Sequence, residues 1–207
     1  MKKAWLVPLA GALAVVLFVI AFLVGGETPD TDDSLRKIAS FYRDNDSDQV
    51  WASALLTWGT AFFLLFASGL WRFLRNVETE RRAASTLVVI GSALFAVGAT
   101  IFAGISFTLG DAADDLGPGA LQTLNALNSD MFFPVALGVF TFLIGAGASI
   151  LQTGVLPKWL GWVTVVLGVL ALTPVGFFVF LALGLWILVV SVLIYMRESA
   201  TPARAAP

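Results

Sequence analysis

The chain has 207 residues, 58% hydrophobic and 13% charged, with a formal net charge of −2. A soluble domain carries roughly 45–50% apolar and about 25% charged residues, so this composition belongs to an integral membrane protein and argues against a soluble enzyme. The chain has no cysteine and no histidine. That excludes disulfides, thiolate chemistry, Ser-His-Asp triads and metal sites built on His or Cys, and no cofactor is implied.

A membrane-spanning helix needs about 20 mostly apolar residues. Residues 5–24 meet this without a charge. Lys2 and Lys3 resemble the start of a signal peptide, but the apolar stretch is long and no A-x-A site precedes Glu27, so a retained helix is expected. Residues 25–50 form a polar, acidic outer loop. Within it Leu35, Ile38 and Tyr42 recur at i, i+3 and i+7, with Asp32, Asp33 and Ser34 as N-cap candidates, which predicts a short amphipathic helix. Asp44-Asn45-Asp46-Ser47-Asp48 begins like a calcium loop, yet Gln49 and Leu55 stand where an EF-hand needs Gly and Glu. Asn45-Asp46-Ser47 is also an N-x-S sequon, of consequence only in a eukaryotic secretory pathway.

The second and third spans are expected at 51–71 and 86–109. A second outer loop, 110–130, contains Leu121, Leu124 and Leu127 after Gly117-Pro118-Gly119 and reads as another short helix. The fourth span is 131–153. The last apolar block, 159–196, would make a helix of about 57 Å, nearly twice the membrane. Thr173-Pro174-Val175-Gly176 is the turn signal inside it. The block therefore divides into helices at 158–174 and 177–196, a hairpin being favoured over one helix kinked at Pro174. Residues 198–207 are expected to be a flexible tail.

Charge sets the orientation. Alternating the loops puts nine basic residues on one side (Lys2, Lys3, Arg72, Arg75, Arg81, Arg82, Lys158, Arg197 and Arg204) and Arg36, Lys37 and Arg43 on the other. The positive-inside rule places the nine in the cytoplasm, with both termini. Eleven of the 14 acidic residues then lie outside. The expected architecture is one all-α transmembrane domain over 1–207, a bundle of six transmembrane helices with short amphipathic helices on its outer face, in a bacterial cell (inner) membrane.

Small residues recur seven apart: Ala14 and Ala21, Gly91 and Gly98, Gly138 and Gly145, Gly161 and Gly168, Gly184 and Ser191. This spacing keeps one helix face close to a neighbour. The glycines either permit packing or line a pocket or conduit. Pro134 either kinks the fourth span or is an ordinary first-turn proline. The expected spans hold no Asp, Glu, Lys or Arg in their hydrocarbon regions, which argues against proton relays, ion-coupled transport and intramembrane hydrolysis. Candidate site residues gather at the outer rim: Tyr42, Arg43, Asp44 and Asn45 before the second span, and Asn125, Asn128 and Asp130 before the fourth. They could share an outer pocket, or Asp130 could cap the helix that follows it.

Three segments carry a family resemblance: Ile38-Ala39-Ser40-Phe41-Tyr42-Arg43-Asp44-Asn45, Asn128-Ser129-Asp130-Met131-Phe132-Phe133-Pro134, and Gly154-Val155-Leu156-Pro157-Lys158-Trp159-Leu160-Gly161. With them the chain resembles the small multi-pass membrane proteins common in actinobacteria whose domain has no assigned function. The resemblance implies a fold and a compartment, and it carries over no activity or catalytic residue. The expected role is non-enzymatic: binding of a membrane partner, a lipid or an apolar small molecule. The alternative is a transporter or channel subunit for a neutral or apolar solute. The expected partners are the lipid bilayer and another membrane protein or a second copy of the chain, without nucleic acid.

Overall fold

Within hydrocarbon every backbone N–H and C=O must find its partner inside the protein, and the α-helix does this within one segment. The computed structural model describes residues 5–78 and 83–200, with side chains as far as Arg197. Among these residues it contains eight helices: α1 Leu6–Gly25, α2 Leu35–Asp44, α3 Asp46–Arg75, α4 Ala83–Asp111, α5 Pro118–Asp130, α6 Phe132–Thr153, α7 Lys158–Ala171 and α8 Gly176–Ala200. No strand occurs among the described residues. Among the described residues five helical segments are long and apolar enough to cross a membrane: α1, α3, α4, the α5–α6 stretch and α8. The fifth expected span, α7, is apolar but only 14 residues long, about 21 Å.

Helix ends differ from the expected ones where polar residues continue a helix beyond the hydrocarbon. α3 begins at Asp46 rather than 51, with Asp46 and Asp48 in its first turn, where carboxylates suit the positive end of the helix dipole. α7 stops at Ala171, and Leu172–Val175 turn the chain into α8, so the last apolar block is two helices. Each of the two loops expected on the outer side contains a helix, α2 in one and α5 in the other. α8 continues to Ala200; the rest of the expected tail, 201–207, lies outside the described residues, as do Lys2, Lys3, Arg81, Arg82 and Arg204 of the charge pattern.

The six apolar helices close a ring. α1 packs on α3, α3 on α4, α4 on α6, α6 on α7, α7 on α8, and α8 returns to α1. The seven-residue glycine spacing forms the tightest of these seams. A Cβ at Gly91 would sit on the backbone of Phe142, and one at Gly138 on the backbone of Phe95. Gly98 faces Val135, and Gly145 faces Ala84 and Val88. α4 and α6 thus meet nearly backbone to backbone. Gly161 and Gly168 of α7 instead bear on the side chains of Leu151 and Leu143 of α6.

Inside the ring, halfway along the helices, four buried aromatic residues fill the cross-section. Phe63 lies 4.7 Å from Phe95 and 5.2 Å from Phe142 by ring centroid, and Phe142 lies 5.8 Å from Trp186. The Trp186 indole N–H donates to the Thr164 hydroxyl at 2.7 Å, which donates in turn to the Leu160 carbonyl at 2.6 Å. One buried carboxylate lies at the end of the bundle away from α2 and α5. Glu78 accepts from the Ser85 backbone N–H at 3.1 Å and the Ser85 hydroxyl at 2.8 Å, covering the first turn of α4.

Candidate functional site

α2 connects the end of α1 to the start of α3, and α5 connects the end of α4 to the start of α6. Both therefore lie at the same end of the ring, and they pack on each other as a cap. α2 forms because Ser34 is its N-cap, its side chain accepting from the Lys37 N–H at 3.3 Å, while Ile38, Ala39 and Tyr42 share one face. That face is buried against Leu109, Ala113 and Leu121. At the exposed start of α2, the Lys37 ammonium lies 2.7 Å from Asp33 and holds that carboxyl below its ordinary range.

Of the seven candidate residues, Tyr42 and Asn125 bond to each other, and they do so as a latch. Tyr42, 1% exposed, donates through Oη to Asn125 Oδ1 at 2.5 Å, and Asn125 Nδ2 donates to the Pro29 carbonyl at 3.1 Å. One short chain of bonds thus joins α2, α5 and the segment after α1. Burial pushes the Tyr42 hydroxyl up to about 12, so it remains a neutral donor. Arg43 donates from Nε to the Ala113 carbonyl and from Nη2 to the Leu116 carbonyl, each at 3.2 Å, and so holds the corner between α4 and α5. Asn45 Nδ2 donates to the Phe41 carbonyl at 2.8 Å and closes the end of α2. Asp44 and Asp130 are exposed. Asp130 ends α5, and α6 starts after Met131 with no side-chain cap. Among the described residues no three acidic side chains converge as a metal site.

Beneath the cap lies a cavity of about 120 Å³ between the end of α1, the start of α3, α4 and the end of α5. Phe22, Ala52, Leu56 and Phe102 supply apolar wall; Gln49, Ser53, Ser106 and Asn128 supply polar groups. Gln49, 4% exposed, donates through Nε2 to the Gly25 carbonyl at 2.7 Å. The Asn128 amide donates to the Ser106 hydroxyl at 3.0 Å. Of the residues expected at the rim, only Asn128 lines this cavity. Gln49, Ser53 and Ser106 were not singled out in the sequence. The available signal was helical phase: Gln49, Ser53 and Thr60 lie at i, i+4 and i+11, a polar stripe on one face of α3.

Among known proteins, no curated protein and no solved structure matches this chain. A protein family does, the Domain of unknown function DUF4386, over residues 9–201, nearly the whole chain. By that match, and consistent with its ring of apolar helices, the chain belongs to the DUF4386 family.

Proposed function

We propose that this protein is a non-enzymatic membrane protein that binds a lipid or an apolar small molecule at the capped end of its bundle. The aromatic plug carries the reading. A conduit for solute needs an open or wettable path between the helices, whereas Phe63, Phe95, Phe142 and Trp186 close the middle of the ring. No Asp, Glu, Lys or Arg lies within the middle turns of the described apolar helices, so neither an acid–base pair nor a coupling ion has a side chain to use there. The cavity below the cap is the place where apolar wall and uncharged polar groups meet. Native mass spectrometry of the full chain, released from membranes in mild detergent, tests the reading. The expected result is retained lipid or small-molecule adducts. Bare protein throughout, together with neutral-solute flux in proteoliposomes above that of empty vesicles, would establish the transporter reading instead.

The proposed setting is a bacterial cell membrane, with both termini in the cytoplasm and the cap outside, supported by the distribution of Lys and Arg. The cysteine-free chain makes the orientation directly readable. A membrane-impermeant maleimide applied to intact cells should label Ser47→Cys and leave Val77→Cys unlabelled. The reverse pattern would invert the protein.

A further inference from the structure

We propose that the cavity below the cap takes the head of an uncharged lipid alcohol, its hydroxyl donating to the Gln49 side-chain carbonyl. The inference rests on the lipid-binding reading above and assigns the ligand's chemistry. Gln49 is buried, and its amide orientation is set by the Gly25 carbonyl, which Nε2 must face in order to donate. Its Oε1 is then directed elsewhere and has no protein partner among the described residues. Nor is that oxygen sealed in protein, as the unpartnered Ser149 and Ser191 hydroxyls are; Gln49 lines the cavity. An amide oxygen largely removed from water and left unpaired costs about 1–3 kcal/mol, so the site favours a molecule that brings a donor.

Charge and size define that donor. Among the described residues no Asp, Glu, Lys or Arg lines the cavity, so a phosphate, carboxylate or ammonium head would enter without a counter-charge, at a large desolvation cost. A hydroxyl carries no such cost. It can donate to Gln49 Oε1 and accept from the Asn128 amide, whose two N–H groups serve, among the described residues, the Ser106 hydroxyl alone at 3.0 Å. A cavity of about 150 Å³ holds a benzene molecule, so 120 Å³ admits a head and first carbons of about five non-hydrogen atoms. The remainder of the molecule must leave through the side. Phe22, 61% exposed at the lip, places that exit among the apolar surfaces of α1 and α3.

The test uses the full chain in detergent and three probes at equal mole fraction in the micelle: oleyl alcohol, the hydrocarbon in which CH3 replaces its hydroxyl, and oleate. Binding is read by native mass spectrometry and by the shift in melting temperature. The alcohol should bind roughly tenfold more tightly than the isosteric hydrocarbon, and oleate should bind most weakly at neutral pH. Monoolein reports whether a glycerol-sized head also fits. Gln49→Leu should bring the alcohol down to the level of the hydrocarbon, and Ala52→Phe, which fills the cavity, should remove both. Equal binding of alcohol and hydrocarbon to the unmodified chain, or a preference for oleate, overturns the assignment while lipid binding itself stands. Binding of none of the probes, with no adduct retained from membranes, overturns both. The comparison on the unmodified chain decides the matter even if Gln49→Leu fails to fold.

Discussion

The smallest features of this fold with a measurable consequence are missing side chains. Gly91 and Gly104 lie on the same helix, α4, in opposite surroundings. A methyl group at Gly91 would occupy the space of the Phe142 backbone, which cannot move without shifting α6, whereas one at Gly104 meets nothing within 4 Å. Gly91→Ala should therefore cost about 2–3 kcal/mol as an overpacked seam. Gly104→Ala should gain about 0.5–1 kcal/mol, because alanine loses less backbone freedom on entering a helix. Thermal unfolding of the two variants in one detergent checks both signs, and destabilisation of similar size by both would deny the seam its special role. The spacing of Gly91, Gly98, Gly138 and Gly145 was legible in the sequence because a seven-residue repeat fixes a face. Which face met which was not, because small residues record closeness and carry no mark of their partner.

Among the elements, the pairing of α2 with α5 hangs on few bonds and should respond to pH. Tyr42 is neutral when bound to Asn125, and burial raises its pKa from the ordinary 10.0 to about 12. A folded pKa above the unfolded one means that the neutral tyrosine's contribution is fully present below pH 10 and is lost as pH rises through 12. Tyr42→Phe should cost about 1–3 kcal/mol at neutral pH, since the Asn125 carbonyl loses its donor in a buried place. The advantage of the unmodified chain over Tyr42→Phe should then shrink between pH 10 and 12. A constant difference in melting temperature across that range would place the hydroxyl in water. The amphipathic pattern made α2 readable in advance, and of the rim residues Tyr42 and Asn125 bond to each other. Their mode of meeting depends on side-chain direction: Tyr42 and Asn125 use their polar atoms on each other and on Pro29, and the unpaired carbonyl of the region belongs to Gln49, one helix further on. A glutamine beside an apolar span gives no sequence signal beyond its place on the stripe with Ser53.

For the whole molecule, the ring of six helices contains one that is too short. The hydrocarbon layer is about 30 Å thick, and the 14 residues of α7 span about 21 Å. The turn signal Thr173-Pro174-Val175-Gly176 marked the break in the apolar run, but the helix expected to reach 174 stops at Ala171 because apolar residues continue into the turn. The turn is built for a dry place. The N–H groups of Leu172, Thr173 and Gly176 donate to the carbonyls of Val169, Leu170 and Thr173, and the Thr173 hydroxyl donates to Leu170 at 2.7 Å. No charged residue lies between Lys158 and Arg197, and Leu172, Val175, Phe177 and Phe178 are exposed around the turn, Phe178 by 67%. A turn whose Leu172, Thr173 and Gly176 N–H groups are bonded internally, and that presents apolar side chains outward, suits the membrane interface rather than open water. The turn lies at the capped end with the start of α3, since both follow from the alternation of the helices. In membranes where an impermeant maleimide reaches Ser47→Cys, Thr173→Cys should therefore remain largely unmodified, and both should react once the protein is in detergent. Equal labelling of the two in the membrane would put the turn in water and require the bilayer to thin around α7.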